Sequence, residues 1–332
     1  MKKLGIAAAL MLCAFGASAS NFRGADQVYI PVAGHAGAST GTFISDVFIS
    51  NLSADEVEVS VIYQARGEGG GAGLEFPKQI QLRGFERKQY LDFFSSGLGL
   101  SSGFGQLIFN ACKKDADCGV LSQDDEGDSP NYRPISVTSR IYQIPNNNDN
   151  TRFTGQLFSG IPWYNFVSSL QSDAGLDKVF ITGLTQTGLG GQAGTFRSNI
   201  GLVNASQYSS TTIVVTLFQG TMTNADKKGE FQIGLGPLGN VLLGFIDMFP
   251  NVTGTNFFVT VEQRNNIPTP DSPEGCTQGC PAFLAYGSVL DNGSGDATTL
   301  EPQYLLELTD AQIRALYPSG SGKAPTRRSV RH

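Results

Sequence analysis

Gly99-Leu-Ser101-Ser-Gly103 has the G-x-S-x-G spacing of a nucleophile elbow. That chemistry requires a strand-to-helix turn carrying the serine and a histidine to take its proton. The chain holds two histidines, His35 and His332, and the second is the last residue. In a chain with 41 glycines the string reads as a Gly/Ser loop. A cysteine nucleophile meets the same shortage of a histidine base. Glycoside hydrolysis would need two carboxylates across a cleft. Glu75 with Glu230, and Asp92 with Asp247, are pairs that recur along the chain and read as structural for that reason. No cofactor is implied. Calcium is the one metal with candidate loops: SQDDEGDSPN, carrying Asp124, Asp125, Glu126 and Asp128, and DNGSGD, carrying Asp291, Asn292 and Asp296. Neither has the spacing of an EF-hand, and both read as solvated loops. Trp163, the single tryptophan, stands with Tyr164 and Phe166. Such a cluster either packs between domains or forms a flat apolar platform for sugar rings.

Cys112, Cys118, Cys276 and Cys280 are the four cysteines beyond the leader, in CKKDADC and CTQGC. An even number in an exported chain predicts disulfides, here the local links Cys112–Cys118 and Cys276–Cys280. Zinc is disfavoured because the pairs fall in separate halves with no histidine near. Export itself is read from MKKLGIAAALMLCAFGASAS. Lys2 and Lys3 precede a short apolar run and the small-residue site Ala17-Ser18-Ala19, the pattern of a bacterial-type secretory signal spanning 1–19. Later apolar runs are too short for a membrane helix. The expected location is secreted: periplasm, cell surface or extracellular space.

The formal charge is −6, and losing Lys2 and Lys3 takes it to −8. Lys323, Arg327, Arg328 and Arg331 lie in the last ten residues, which leaves the body near −12. So acidic a body repels phosphate backbones and argues against nucleic-acid partners. The partner class expected is an extracellular protein or a glycan.

These residues sit on elements that occur twice. GTFISDVFISN (41–51) returns as GTFRSNIGLVN (194–204). Val28-Tyr29-Ile30 resembles Val179-Phe180-Ile181, and VEVSVIYQ (57–64) matches TIVVTLFQ (212–219). LEFPKQIQLRGFERKQYLDFF (74–94) lies ungapped on GEFQIGLGPLGNVLLGFIDMF (229–249), and SVTSRIYQ (136–143) on AYGSVLDN (285–292). A collinear series predicts a duplicated domain, 25–145 and 175–300, with a linker at 146–174 and a short helix and flexible basic tail at 301–332. Thr309 is the expected cap of that helix, which runs to Leu316. Period-two alternation in VEVSVIYQ, with Val57, Val59, Val61 and Tyr63 on one face, predicts strands. TIVVTLFQ is apolar on both faces and is expected at the domain interface. Many short strands between turn residues predict an all-β chain of two tandem immunoglobulin-like β-sandwiches, with a jelly roll as the alternative. Phe43 and Phe196 should then be equivalent, Arg197 and Asn199 should share one strand face, and Asn51 and Asn204 should shape the turns at their strand ends.

GTFRSNIGLVN, VTSRIY, TGQLFSGIP and AYGSVLDNGSGD resemble recurring segments of secreted bacterial proteins built from paired immunoglobulin-like sandwiches. The resemblance covers most of the mature chain and implies fold rather than chemistry, because that family has no assigned activity. The first copy departs from it, with Ile44 where the second has Arg197 and Asp46 where the second has Asn199. The function expected is a non-enzymatic structural, adhesion or scaffold role. The alternative is a carbohydrate-binding module or glycoside hydrolase.

Overall fold

This computed structural model describes residues 24–38, 41–67, 69, 74–116, 131–146, 155–167, 177–206, 210–264 and 282–304. The leader, Cys118, Cys276, Cys280, the SQDDEGDSP stretch (122–130), the Thr309 helix and the basic tail lie outside them.

The chain is two β-sandwiches of the same topology. In the first, one sheet runs β4 (Leu74–Leu82), β3 (Val57–Ala65), β6 (Gly103–Lys113), β1 (Gln27–Ala38), β9 (Ile161–Pro162). The facing sheet runs β5 (Arg87–Tyr90), β2 (Gly41–Asn51), β7 (Ile135–Pro145), β8 (Gly155–Ser159). The last residues of β1, Ala36 to Ala38, turn across to pair with β2 and join the two sheets. In the second sandwich the sheets are β13 (Lys227–Leu235), β12 (Thr211–Gln219), β15 (Gly254–Arg264), β10 (Lys178–Gln186), β18 (Gln303–Tyr304), and β14 (Asn240–Gly244), β11 (Phe196–Asn204), β16 (Phe283–Asp291), β17 (Ala297–Leu300). Strand for strand the order repeats, and every pairing is antiparallel. A single helical turn follows the fifth strand of each copy: α1 (Phe93–Ser96) and α2 (Phe245–Met248).

Alternation builds both cores. Val57, Val59, Val61 and Tyr63 are buried, while Glu58 and Ser60 between them are half-buried. Each fully buried valine of this kind contributes about 1.5–3 kcal/mol. Ile213, Val215 and Leu217 do the same in the second copy. Val214 and Phe218 on the other face are also buried, Phe218 stacking on Phe258 at 5.3 Å. The domain interface nevertheless lies elsewhere than on β12. Val203, Ala205, Leu238, Ala282, Leu284 and Tyr286 are the buried second-copy residues that join the first core.

Residues 155–162 correct the expected linker. They form β8 and β9, which pair with β7 and β1, so the first sandwich extends well past residue 145. β18 likewise carries the second sandwich beyond residue 300.

The backbone also corrects the ungapped matching of the copies. Val28 and Val61 flank Phe109 as Val179 and Val215 flank Val261, so Val61 matches Val215 and not Thr216. Ser139 faces Val47 as Gly287 faces Ile200, a one-residue slip from the string match. A bulge in β4 explains the rest. Val59 and Val61 face Ile80 and Phe76, whereas Ile213 and Val215 face Ile233 and Phe231. Two extra residues therefore sit in the first copy. Beyond them Phe85 and Leu238 coincide, both in the left-handed region at φ 58° and 54°. A slip of one residue exchanges the two faces of a strand.

Candidate functional site

The asparagines at the ends of β2 and β11 do the same work. Asn51 donates through Nδ2 to the carbonyls of Asp55 (2.7 Å) and Arg83 (2.9 Å), and its Oδ1 accepts from the Ser53 N–H (2.9 Å). Asn204 donates to Leu235 (3.2 Å) and Gly236 (2.9 Å) and accepts from the Ser206 N–H (3.0 Å). Each ties a strand end to the turn after the fourth strand of its sheet pair, and each is buried. These are fold-shaping contacts.

Trp163 is 6% exposed and donates its indole N–H to Asp26 at 2.9 Å. Phe166 is buried edge-on against Tyr29 with centroids 4.6 Å apart. Both belong to the first core, which corrects the sugar-platform expectation: no flat face of either ring is offered to solvent. The side chain of Tyr164 lies outside the described residues. Cys112 sits near the end of β6 with Sγ 3.6 Å from the Ala116 carbonyl oxygen.

In DNGSGD, Asp291 Oδ1 accepts the N–H groups of Gly293 (2.7 Å) and Ser294 (3.2 Å), and Asp296 accepts from Ala297. These carboxylates close a turn on themselves. No group of three His, Cys, Asp or Glu side chains with metal-site geometry occurs among the described residues.

The G-x-S-x-G string has the wrong neighbours for an elbow. α1 precedes Ser101 and strand β6 follows it, the reverse of strand-turn-helix. Asp92 and Asp247 are not equivalent either. Asp92 precedes α1 with φ 47°, and Asp247 is the third residue of α2. Glu230 is an exposed strand residue held by Lys227 (2.8 Å) and Gln232 (2.9 Å). The Lys227 contact leads in holding its carboxyl below the usual range. Asp92 does what no spacing rule foresaw. His35 Nδ1 lies 3.0 Å from both Asp92 carboxylate oxygens, and the Asp92 backbone N–H reaches Asp46 Oδ1 at 3.0 Å. Asp46 is buried and takes the Tyr142 hydroxyl at 3.4 Å. Burial, then the Asp46 charge, pushes the Tyr142 phenol up.

Side chains from both copies converge where the sandwiches meet. The N–H and carbonyl of Gly67 pair with those of Asn240 (2.8 and 2.7 Å). A double pairing of the same kind lies inside each sandwich, Ala25 with Ile135 in the first and Val167 with Phe283 (both 2.9 Å) in the second. Side chains reinforce this seam: Gln106 Nε2 to Leu238 O (3.1 Å), Asn240 Nδ2 to Ala65 O (3.1 Å), Arg66 Nη2 to Leu242 O (2.5 Å) and Thr299 Oγ1 to Leu157 O (2.7 Å). Phe158 meets Tyr286 edge-on at 5.5 Å.

Beside the seam is a cleft of about 330 Å³. Val32, Phe43, Phe104, Ile141 and Phe158 line one side of it, all from the first sandwich. Arg197, Asn199 and Ser288 line the other, on the sheet of β11 and β16, together with Leu242, Tyr286 and Leu290. Arg197 and Asn199 thus share a strand face, and their partners across the ladder, Leu290 and Ser288, join them. Phe196, at the β11 position matching Phe43, is 39% exposed, while Phe43 packs partly on the first core. The duplicated positions have diverged: one supplies a wall of the cleft, the other does not.

No family model matches the chain and no curated protein matches it. Among solved structures, the crystal structure of Thermotoga maritima 1070 aligns at 15% identity and TM-score 0.28, over 40% of this chain and 97% of that one. The BSP domain of a biofilm associated protein aligns at 10% identity and TM-score 0.19, over 85% and 59%. A Pleurotus ostreatus lectin in complex with GalNAc aligns at 10% identity and TM-score 0.14, over 90% and 88%. No helix of the described residues is long and apolar enough to cross a membrane.

Proposed function

We propose that this protein is a non-enzymatic, exported scaffold, in the periplasm or at the cell surface, whose two duplicated sandwiches act as one rigid body. The single observation that carries the reading is the seam. One double backbone pairing and four side-chain bonds at separate points resist hinge motion far better than one linker would. A rigid tandem unit with a shared cleft suits recognition of an extracellular protein or glycan. Export rests on the leader and on the cysteine pairs proposed as local staples. The immunoglobulin-like assignment is supported by connectivity: strands 1 and 6 pair in one sheet, and strands 2, 7 and 8 in the other, as B–E and C–F–G do in that sandwich. The carbohydrate reading keeps one support, the aromatic wall of the cleft.

The test is expression of the full chain in a bacterial host, followed by surface protease shaving and blotting of the periplasm and medium. The exported protein is then screened on a glycan array and in an envelope pull-down. The reading expects an exported, leader-less protein that retains a surface component without consuming it. Retention in the cytoplasm, or turnover of a glycoside, contradicts it.

A further inference from the structure

We infer that the cleft between the sandwiches binds a small organic carboxylate with an apolar body, its acid group held by Arg197. Both walls mix apolar and polar side chains, and the one charged lining residue is Arg197 on the second. The first sandwich contributes Val32, Phe43, Phe104 and Ile141, the open end of its hydrophobic core. The second contributes Arg197, Asn199 and Ser288 on its β11–β16 ladder, with Leu242, Tyr286 and Leu290 beside them. Arg197 is half-buried there and spends one donor on Asn292 Oδ1 at 2.6 Å. Among the described residues no carboxylate forms an ion pair with it. A guanidinium carries five N–H donors in a planar fork that matches a carboxylate. Two further donors belong to residues that line the cleft. Asn199 Nδ2 makes only a long contact to Ser288 Oγ, 3.4 Å, and Gln156 Nε2 has no partner in the cleft wall.

A half-buried cation without a counter-charge is unfavourable against apolar walls. An anion entering the cleft would supply the missing charge, and the apolar wall would take the rest of the molecule. The volume, about 330 Å³, falls at the small end of small-molecule sites. Neutral sugars bring no charge for Arg197 to pair with. Duplication isolates the feature: Ile44 occupies the Arg197 position in the first copy, so the first sandwich has no equivalent cation.

The inference rests on the rigid-pair reading for the cleft itself. The experiment is calorimetric titration of the exported protein with 3-phenylpropionate and decanoate, against 3-phenylpropanamide and decanol as neutral matches. At least one acid should bind tenfold or more tightly than its neutral match, the scale of a charge-assisted hydrogen bond. Arg197→Gln should abolish that difference while the denaturation midpoint stays put. Added salt should weaken the acid and leave the neutral match unchanged. Equal binding of acid and neutral match, no binding of either acid, or unaltered discrimination in Arg197→Gln overturns the assignment. Because the neutral ligands are compared on the unaltered protein, the result stands even if the variant folds poorly. Failure of both acids to bind, with cooperative unfolding intact, would defeat the cleft assignment alone and leave the rigid pair standing.

Discussion

Replacing Asn204 by alanine removes a side chain that holds the β11 end to the turn after β13. Its Nδ2 serves two carbonyls, Leu235 and Gly236, and its Oδ1 serves the Ser206 N–H. Asn204 and Ser206 are both fully buried, so water does not readily replace the asparagine amide. A net hydrogen bond contributes about 1 kcal/mol, and a buried group left unpaired costs about 1–3 kcal/mol. Removing three hydrogen bonds at this depth should therefore cost about 3 kcal/mol. Asn51→Ala breaks the matching bonds, but Ser53 and Asp55 are half-exposed and Arg83 is exposed, so water can satisfy the freed groups. Its cost should be about 1 kcal/mol. Urea denaturation followed by far-UV circular dichroism measures both, with unchanged slope as the check that the same surface is exposed. The reasoning fails if Asn204→Ala lies within about 0.5 kcal/mol of the parent or costs less than Asn51→Ala.

Three further outcomes follow from packing, titration and redox state. Gly201→Ala would place a methyl inside the Tyr286 ring, which packs on Phe158 across the seam. Overpacking of this kind costs about 1–3 kcal/mol, and a denaturation midpoint equal to the parent's would refute the contact. Burial raises the phenol of Tyr29 and that of Tyr286 above their ordinary value near 10. A raised folded value means their contribution is complete below about pH 10 and is lost above it, as the unfolded chain ionises first. Stability should fall as pH rises past 10, with these two tyrosines silent at 295 nm until the chain unfolds; their titration in the folded protein would refute the burial. Non-reducing peptide mapping of the exported protein should find Cys112–Cys118 and Cys276–Cys280, each contributing about 2 kcal/mol through a short loop. Links between the halves, or free thiols, would overturn local stapling.

How far the sequence reaches is plain at particular residues. GTFISDVFISN and GTFRSNIGLVN are enough to expose the duplication, because the second strand of each copy is central in its sheet and carries the Asn turn at its end. TIVVTLFQ misleads the matching because apolar residues on both faces erase the period that fixes register. The β4 bulge then carries the slip onward. Residues 155–162 read as linker because β8 and β9 are short edge strands preceded by polar asparagines, with too few residues to show alternation. Trp163 is ambiguous for a simple reason: an aromatic cluster reads the same whether it is buried or exposed. The His35–Asp92–Asp46–Tyr142 contacts and the cleft are invisible in the sequence, since each gathers residues far apart in the chain through pairings that only the fold creates.

The account turns on the two sandwiches behaving as one body, and the single tryptophan makes this measurable. Trp163, bonded to Asp26 beside β1, reports its local surroundings in the first core, while far-UV circular dichroism reports both sandwiches. Equilibrium unfolding in urea, followed by both signals on one sample, should give coincident transitions with one midpoint. A tryptophan transition displaced from the dichroism, or two resolved dichroism steps, would show sandwiches that unfold independently and would contradict the rigid pair.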